Sequence, residues 1–222
     1  MLDYYNERAT EYEEAYTLGT GTASIADPNV FTTEATLLAG IVRRFAQGRV
    51  MDLACGTGYW LPSYSAGASS ISLFDQSEKM LEECRKKLDR HDPGNRVVLI
   101  QGDFFEHEFA AAAYDCALVG FFLSHLTAPQ ERLVFAALRK MLVDSGRFLI
   151  LDSAWSPERA KVNDKAGRQD RRLNDGTRFE VYKRYFDRDD VLAWANAYGA
   201  QLRIEHFGTA FFAVTGRFDP NH

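Results

Sequence analysis

The chain has 222 residues and a formal net charge of −5, with 26 Lys and Arg against 31 Asp and Glu. This length suits one α/β domain, and the acidic balance argues against nucleic acid as the default partner. No apolar run is long enough to span a membrane, and the polar, acidic residues 1–8 do not resemble a signal peptide. The three cysteines form no C-x-x-C pair, which favours reduced thiols and a cytoplasmic location.

The first stretch, residues 3–18, places tyrosines among acidic residues, and Tyr5, Tyr12 and Tyr16 share one face of a predicted helix. Two interpretations are open: a helix that packs its aromatic rings on the domain, and a lid over a binding site. Residues 19–30 contain Gly, Pro and small polar residues, so they predict a loop.

A glycine-rich turn follows the first predicted strand. Residues 34–47 predict an amphipathic helix with Thr33 as its N-cap. Residues 49–58 then read as an apolar strand that ends in a turn, where Gly56 and Gly58 allow a ligand to approach the backbone. A strand, a glycine-rich turn and a helix start together predict a site for the polar part of a nucleotide-like ligand.

Strands alternate with helices through the rest of the chain, which predicts a mostly parallel sheet covered by helices on both faces. The later strands are expected at residues 71–74, 97–100, 115–119, 148–151, 179–186, 202–206 and 211–215. Ligands of such sheets bind beyond the carboxyl ends of the strands. Asp75, Asp103, Gly120 and His125 follow three of these strands, so they are candidate site residues.

The run VMDLACGTG resembles the first motif of the class I S-adenosylmethionine (SAM) methyltransferases. The opening YYNERATEYEEAY resembles their N-terminal lid, and RLNDGTRFEVYKRYF resembles an uncharacterised bacterial small-molecule branch. The resemblance implies an α/β fold with a seven-stranded, mostly parallel Rossmann-like sheet, an antiparallel last strand and a helical lid. It also implies a single domain over 1–222, with a lid segment at 1–30 and a substrate-side insertion at 153–186.

The same resemblance implies SAM as the cofactor and S-adenosylhomocysteine (SAH) as its product. Asp75 would accept from the ribose hydroxyls, Asp103 from the adenine amino group, and Met80 would lie beside the adenine. For Met80 a core position, and for Asp103 a loop or cap position, are the alternatives. The implied cofactor-binding residues are Asp52, Ala54, Cys55, Gly56, Gly58, Asp75, Gln76, Met80, Asp103, Phe104, Gly120 and Tyr12.

Transfer of a methyl group depends mainly on aligning a nucleophile with the cofactor, which is catalysis by proximity. His125 is the candidate base, and the alternative is a histidine that braces the next helix. No metal is expected, because adjacent residues such as those of the cluster 106–108 do not face one another on a helix. The candidate substrate residues are Tyr5, Phe121, Arg172, Tyr182 and Arg184.

Residues 159–188 contain ten cations and five acids, in a chain that is acidic overall. We expect at least one of Arg171, Arg172, Arg178 and Arg184 to contact an anionic acceptor, and a solvated basic surface is the alternative. A small-molecule methyltransferase, monomeric or homodimeric, is the main hypothesis. The alternatives are methylation of RNA or of a phospholipid headgroup, and a SAM-binding protein without transferase activity.

Overall fold

Strand β1, Gly48–Leu53, lies at the centre of a seven-stranded sheet in the computed structural model, which describes residues 1–17, 25–92, 94 and 96–219. The strand order is β3-β2-β1-β4-β5-β9-β8. Strands β1 to β5 pair in parallel, whereas β9 is antiparallel to both β5 and β8. The other strands of this sheet are β2 Ala68–Asp75, β3 Val97–Gln101, β4 Tyr114–Gly120, β5 Leu142–Ser153, β8 Ala200–Phe207 and β9 Phe211–Phe218.

Helices cover both faces of the sheet, and each face has its own apolar core. One core joins α3 and α5 to the sheet through residues such as Leu38 and Leu81. The other joins α6 and α7 to the sheet through residues such as Phe135 and Trp194. The helices are α1 Leu2–Arg8, α2 Glu14–Thr17, α3 Asn29–Phe45, α4 Leu61–Tyr64, α5 Glu78–His91, α6 Ala128–Met141 and α7 Arg188–Tyr198. The predicted fold class is therefore confirmed, including the antiparallel position of the last strand.

A second, two-stranded sheet follows β5. It consists of β6, Ala166–Arg172, and β7, Arg178–Arg184, paired as an antiparallel hairpin. The sequence analysis predicted a strand near β7 but none at β6, because the polar residues of β6 show no apolar alternation. Pairing with β7 stabilises β6 instead, since β7 supplies the buried residues of the hairpin.

Some predicted boundaries were wrong. Helix α3 begins at Asn29 with Pro28 at its N-cap, so Thr33 is an internal residue and the expected loop at 19–30 ends earlier. Residues 19–24 of that loop lie outside the described part of the chain. Three leucines of the helices are about half exposed: Leu37, Leu133 and Leu192. The rotation of a helix therefore depends on packing that a short apolar pattern does not determine.

The N-terminal segment folds as α1, a short 3-10 turn and α2 rather than as one helix. The ring of Tyr4 packs against Phe179 of the hairpin. The rings of Tyr5, Tyr12 and Tyr16 contact one another in a row, as expected from their shared face. This segment therefore lies across the carboxyl ends of the strands and joins the hairpin to the central sheet.

Candidate functional site

A cavity of about 350 Å³ opens where β1, β2, β3 and β4 end beneath the N-terminal segment. Its volume is in the range of small-molecule sites. Nine of the twelve residues expected to bind a cofactor line it: Ala54, Gly56, Asp75, Gln76, Met80, Asp103, Phe104, Gly120 and, from the N-terminal side, Tyr12.

The backbone is strained at the ends of the two central strands. Ala54 after β1 has a φ of 55°, and Phe121 after β4 also has a φ of 55°. Side chains other than glycine adopt this region at a cost of about 1–3 kcal/mol, and such strain concentrates at functional sites. Gly56 has a φ of 56°, and a Cβ there would lie 3.4 Å from the ring of Tyr12. The turn is therefore shaped for close approach to its backbone.

Asp75, at the end of β2, fixes this turn. Its two carboxylate oxygens accept from the backbone N–H of Gly56 and of Ser77, each at 2.8 Å. Burial raises the pKa of Asp75, and the amide hydrogen bonds oppose that effect. Beside it, the Gln76 side chain donates to Asp103 at 2.9 Å. The three polar residues predicted at the ends of β2 and β3 are thus brought together along one wall of the cavity.

Three of the predicted cofactor residues do not line the cavity. The Asp52 carboxylate accepts from the Tyr64 hydroxyl at 2.7 Å, and burial raises the pKa of Asp52 to about 7. Cys55 is buried with its Sγ 4.0 Å from that of Cys84. Gly58 has a φ of 69°, and a Cβ there would come within 3.0 Å of the same Cys84 Sγ. These residues shape the turn from its core side.

A second, smaller cavity of about 50 Å³ lies on the other side of four side chains. Tyr5, Tyr12, Phe121 and His125 line both cavities and so form a shared wall between them. The small cavity is bordered by the N-terminal segment through Tyr4 and by the hairpin through Lys183. Two candidate substrate residues, Tyr5 and Phe121, are therefore at the boundary between the two spaces.

His125 is held in one tautomer within this wall. Its Nδ1 lies 2.9 Å from the carbonyl oxygen of Tyr182, and its Nε2 lies 2.7 Å from the hydroxyl of Tyr5. A carbonyl only accepts, so Nδ1 bears the proton and Nε2 accepts from Tyr5. Burial and the charge of Lys183 lower the pKa of His125 well below its ordinary value. The ring is therefore neutral, with a basic nitrogen at the wall.

Four cationic residues line the small cavity: Arg8, Arg159, Arg171 and Lys183. They come from α1, from the segment after β5 and from both hairpin strands. The sequence analysis named Arg171 among the hairpin arginines but missed Lys183, which is buried between Val181 and Tyr185 on the inner face of β7. Successive side chains of a strand point to opposite faces, so the spacing of Val181, Lys183 and Tyr185 could have identified Lys183 as facing inward.

The other candidate substrate residues point elsewhere. Tyr182 and Arg184 are on the opposite face of β7 from Lys183, and neither lines the two cavities. Arg184 instead binds the carboxylate of Glu131 and donates to the carbonyl oxygen of Leu123. Arg172 is exposed on β6. Tyr182 reaches the site only through its backbone oxygen.

Within the described ranges, no group of three or more His, Cys, Asp or Glu side chains is arranged to hold a metal ion. No helix in these ranges has the length and apolar character needed to cross a bilayer.

Known proteins resemble this chain in sequence and in fold. A family model described as "Methyltransferase domain" matches residues 50–146. Demethylmenaquinone methyltransferase of Clavibacter sepedonicus is 26% identical over 153 residues, which are 69% of this chain and 58% of that protein. The ubiquinone/menaquinone biosynthesis C-methyltransferase of Blochmanniella pennsylvanica is 32% identical over 46% of this chain and 41% of its own length. The matches thus span about half the length of these relatives.

Among solved structures, a DhpI–SAH complex superposes with a TM-score of 0.75 at 22% identity, covering 99% of this chain and 95% of that one. At this identity the likeness establishes the fold alone. Together with the domain match, it confirms the resemblance to the class I SAM-dependent methyltransferases that the run VMDLACGTG indicated.

Proposed function

We propose that this chain, whose residues 50–146 match a methyltransferase domain within a class I methyltransferase fold, transfers a methyl group from SAM to a small-molecule acceptor. The observation that supports this most is the shared wall of Tyr5, Tyr12, Phe121 and His125. It separates a cavity of cofactor size from a smaller one. Two reactants bound in these spaces would meet at that wall.

The larger cavity fits SAM. Gly56, with a φ of 56°, turns its backbone along the cavity, and Asp75 lies at the end of β2, where an acid accepts from ribose hydroxyls in such folds. Gln76 and Asp103 offer polar groups near the end of β3 for the adenine. Met80 and Phe104 supply apolar surface beside them. The DhpI–SAH structure has the same fold around its ligand.

SAM supplies an electrophilic methyl group on a sulfonium. The chain contributes alignment, because the four wall residues fix where the acceptor meets the cofactor. Where the acceptor atom bears a proton, Nε2 of His125 is placed to accept it, directly or through the Tyr5 hydroxyl that it already binds. His125 then remains anchored through Nδ1 to Tyr182.

The small volume of the second cavity, about 50 Å³ between the N-terminal segment and the hairpin, favours a small acceptor over RNA or a lipid headgroup at a bilayer surface. We further propose that the acceptor is anionic. Of the four arginines considered from the sequence, Arg171 is the one that lines this cavity. The quinone substrates implied by the relatives' names are not assigned to this chain, because four cations do not suit an uncharged ring.

The remaining expectations stay predictions. They are the cytoplasmic location, the monomeric or homodimeric state, and the division of the single domain into a lid at 1–30 and an insertion at 153–186. The contacts between the N-terminal segment and the hairpin support the last of these.

Calorimetric titration with SAH, followed by an assay for SAH release from SAM with a panel of small acids and phosphate esters, tests the proposed function. Saturable SAH binding and acceptor-dependent release support it. SAH binding without release from any acceptor would favour a SAM-binding protein that lacks transferase activity, and no SAH binding would remove the proposal.

A further inference from the structure

We infer that the small cavity binds an oxyanion group of the acceptor among Arg159, Arg171 and Lys183, and that this bound anion is what enables His125 to accept a proton. The inference rests on the proposed function for the identity of the acceptor. The cationic residues would then both recognise the acceptor and control the basicity of His125.

The cluster is built for an anion. Lys183 is 5% exposed and Arg159 is 1% exposed, so both charges are largely removed from water. Burying like charges together is costly unless an opposite charge compensates. Lys183 pairs with Asp152, whose Oδ1 lies 3.6 Å from the ammonium.

Asp152 lies outside the cavity. Its Oδ2 accepts from the Ser124 N–H at 2.9 Å and its Oδ1 from the Ser153 N–H at 2.7 Å. Lys183 also donates to the Ser124 hydroxyl at 2.5 Å. Four cationic side chains line the cavity itself, Arg8 and Arg171 besides the buried pair, and among the described residues that line it there is no Asp or Glu.

The cavity has a suitable size for one small charged group. A volume of about 50 Å³ accommodates roughly three or four waters, which is the space that a carboxylate or a phosphoryl group requires. Arg159 and Arg171 bring guanidinium groups to the cavity, and a guanidinium can bind either oxyanion through two parallel N–H donors. Arg171 at present donates to Gln169 Oε1 at 2.6 Å and to the Asp170 carbonyl oxygen at 3.3 Å, so an anion would compete with these acceptors. Arg171 is half-exposed, so it also borders the entrance from the hairpin side.

His125 faces this cluster and responds to it. The groups around the ring are Lys183 and the Tyr182 carbonyl on β7, Arg171 on β6, and Tyr5 and Arg8 on α1. Three of them are cations, and with burial they lower the pKa of His125 well below its ordinary value. A histidine with so low a pKa is a weak base and accepts a proton poorly. An anion among the same cations cancels their effect, so binding of the acceptor prepares the base.

The test is a pH titration of His125 in the full chain, with and without SAH. NMR monitors the chemical shift of the ring Cε1–H signal, and the midpoint of the titration is the measured quantity. The signal is assigned with His125→Asn, and the probes are inorganic phosphate and acetate. We expect either or both anions to raise the titration midpoint of His125 by about one unit or more. Response to phosphate alone indicates a phosphoryl group, and response to acetate alone indicates a carboxylate.

Arg171→Gln and Arg172→Gln form a matched pair on adjacent positions of β6, one lining the cavity and one exposed. Arg171→Gln should raise the His125 midpoint in the absence of anion and reduce its response to the probes, whereas Arg172→Gln should do neither. An unchanged midpoint with both anions, or equal behaviour of the two variants, would overturn the inference. Because the measurement needs no turnover, it remains decisive if no acceptor is found and the proposed function fails.

Discussion

The Tyr5 hydroxyl donates to Nε2 of His125 at 2.7 Å, although 120 residues separate them in the chain. This bond joins the N-terminal segment to the loop after β4, across the space where the two cavities meet. The same ring is anchored to the hairpin through Tyr182. Three parts of the chain therefore converge on one imidazole, which makes His125 the residue most informative to change.

Replacing His125 by Asn tests the basic nitrogen alone. The Asn amide can still donate to the Tyr182 carbonyl, but it offers no counterpart of Nε2. We expect kcat to fall about 10²- to 10⁴-fold, as for the loss of a general base, while SAH affinity changes less than about twofold. Steady-state kinetics and calorimetry provide the two readouts. His91→Asn, at the end of α5, is the control. Unchanged kcat would leave His125 with a bracing role.

Asp75→Ala should weaken SAH binding. The variant removes the expected acceptor for the ribose hydroxyls and the support of the Gly56 and Ser77 amides. A hydrogen bond to a charged group contributes about 1.5–3 kcal/mol, which corresponds to a roughly ten- to hundredfold loss of affinity. Calorimetry measures it, with Glu82→Ala on the exposed side of α5 as the control. Equal affinities in two folded variants would remove Asp75 from the cofactor site.

The N-terminal segment should close over a bound cofactor. Its ties to the cofactor side are polar: Glu13 accepts from Thr57 at 2.7 Å, and Asn6 accepts from Ser77 at 2.6 Å. Few such hydrogen bonds tie α1 to the sheet, so we expect the amides of α1 to exchange with deuterium rapidly in the free chain and more slowly with SAH. Peptides from α3 serve as the internal reference. Identical exchange of α1 in both states would favour the packing-helix interpretation.

Glu34 should stabilise the fold in a pH-dependent manner. Its carboxylate accepts from the backbone N–H groups of Thr209 and Phe211 at 2.8 Å each, and His206 lies 3.3 Å away. Burial raises the pKa of Glu34, but the hydrogen bonds from His206 and the backbone outweigh it, so the pKa is lowered. The ionised Glu34 carboxylate therefore contributes its full stabilisation at pH values above the ordinary pKa of a glutamate. This contribution is lost as the pH falls through the lowered pKa of Glu34 in the folded chain.

Glu34→Gln should thus lower the free energy of unfolding by about 2 kcal/mol at pH 7, and the difference should narrow below about pH 4. Urea denaturation at both pH values measures this, with Glu82→Gln as the surface control. A difference of the same size at low and neutral pH would show that the charge of Glu34 is not responsible.

The sequence predicted the parallel core of the fold, and most of the residues proposed from it for cofactor binding line the larger cavity, because both depend on local signals. The sequence alone shows a strand followed by Gly56 and Gly58, and an acid at the end of the next strand. The acceptor side was less predictable. Lys183 and Arg159 lie in segments whose partners are distant in the chain, and hairpin pairing decides which of Tyr182, Lys183 and Arg184 faces inward. Composition indicated a basic segment but not its orientation.

A crystal structure of the chain with bound SAH would decide whether the larger cavity is the cofactor site. We expect the ribose hydroxyls at Asp75, the adenine between Met80 and Phe104, and the thioether sulfur at the wall formed by Phe121 and His125. The small cavity among the cationic residues would then open beside the sulfur. SAH bound outside the larger cavity, or with its sulfur directed away from His125, would show that the proposed arrangement is wrong.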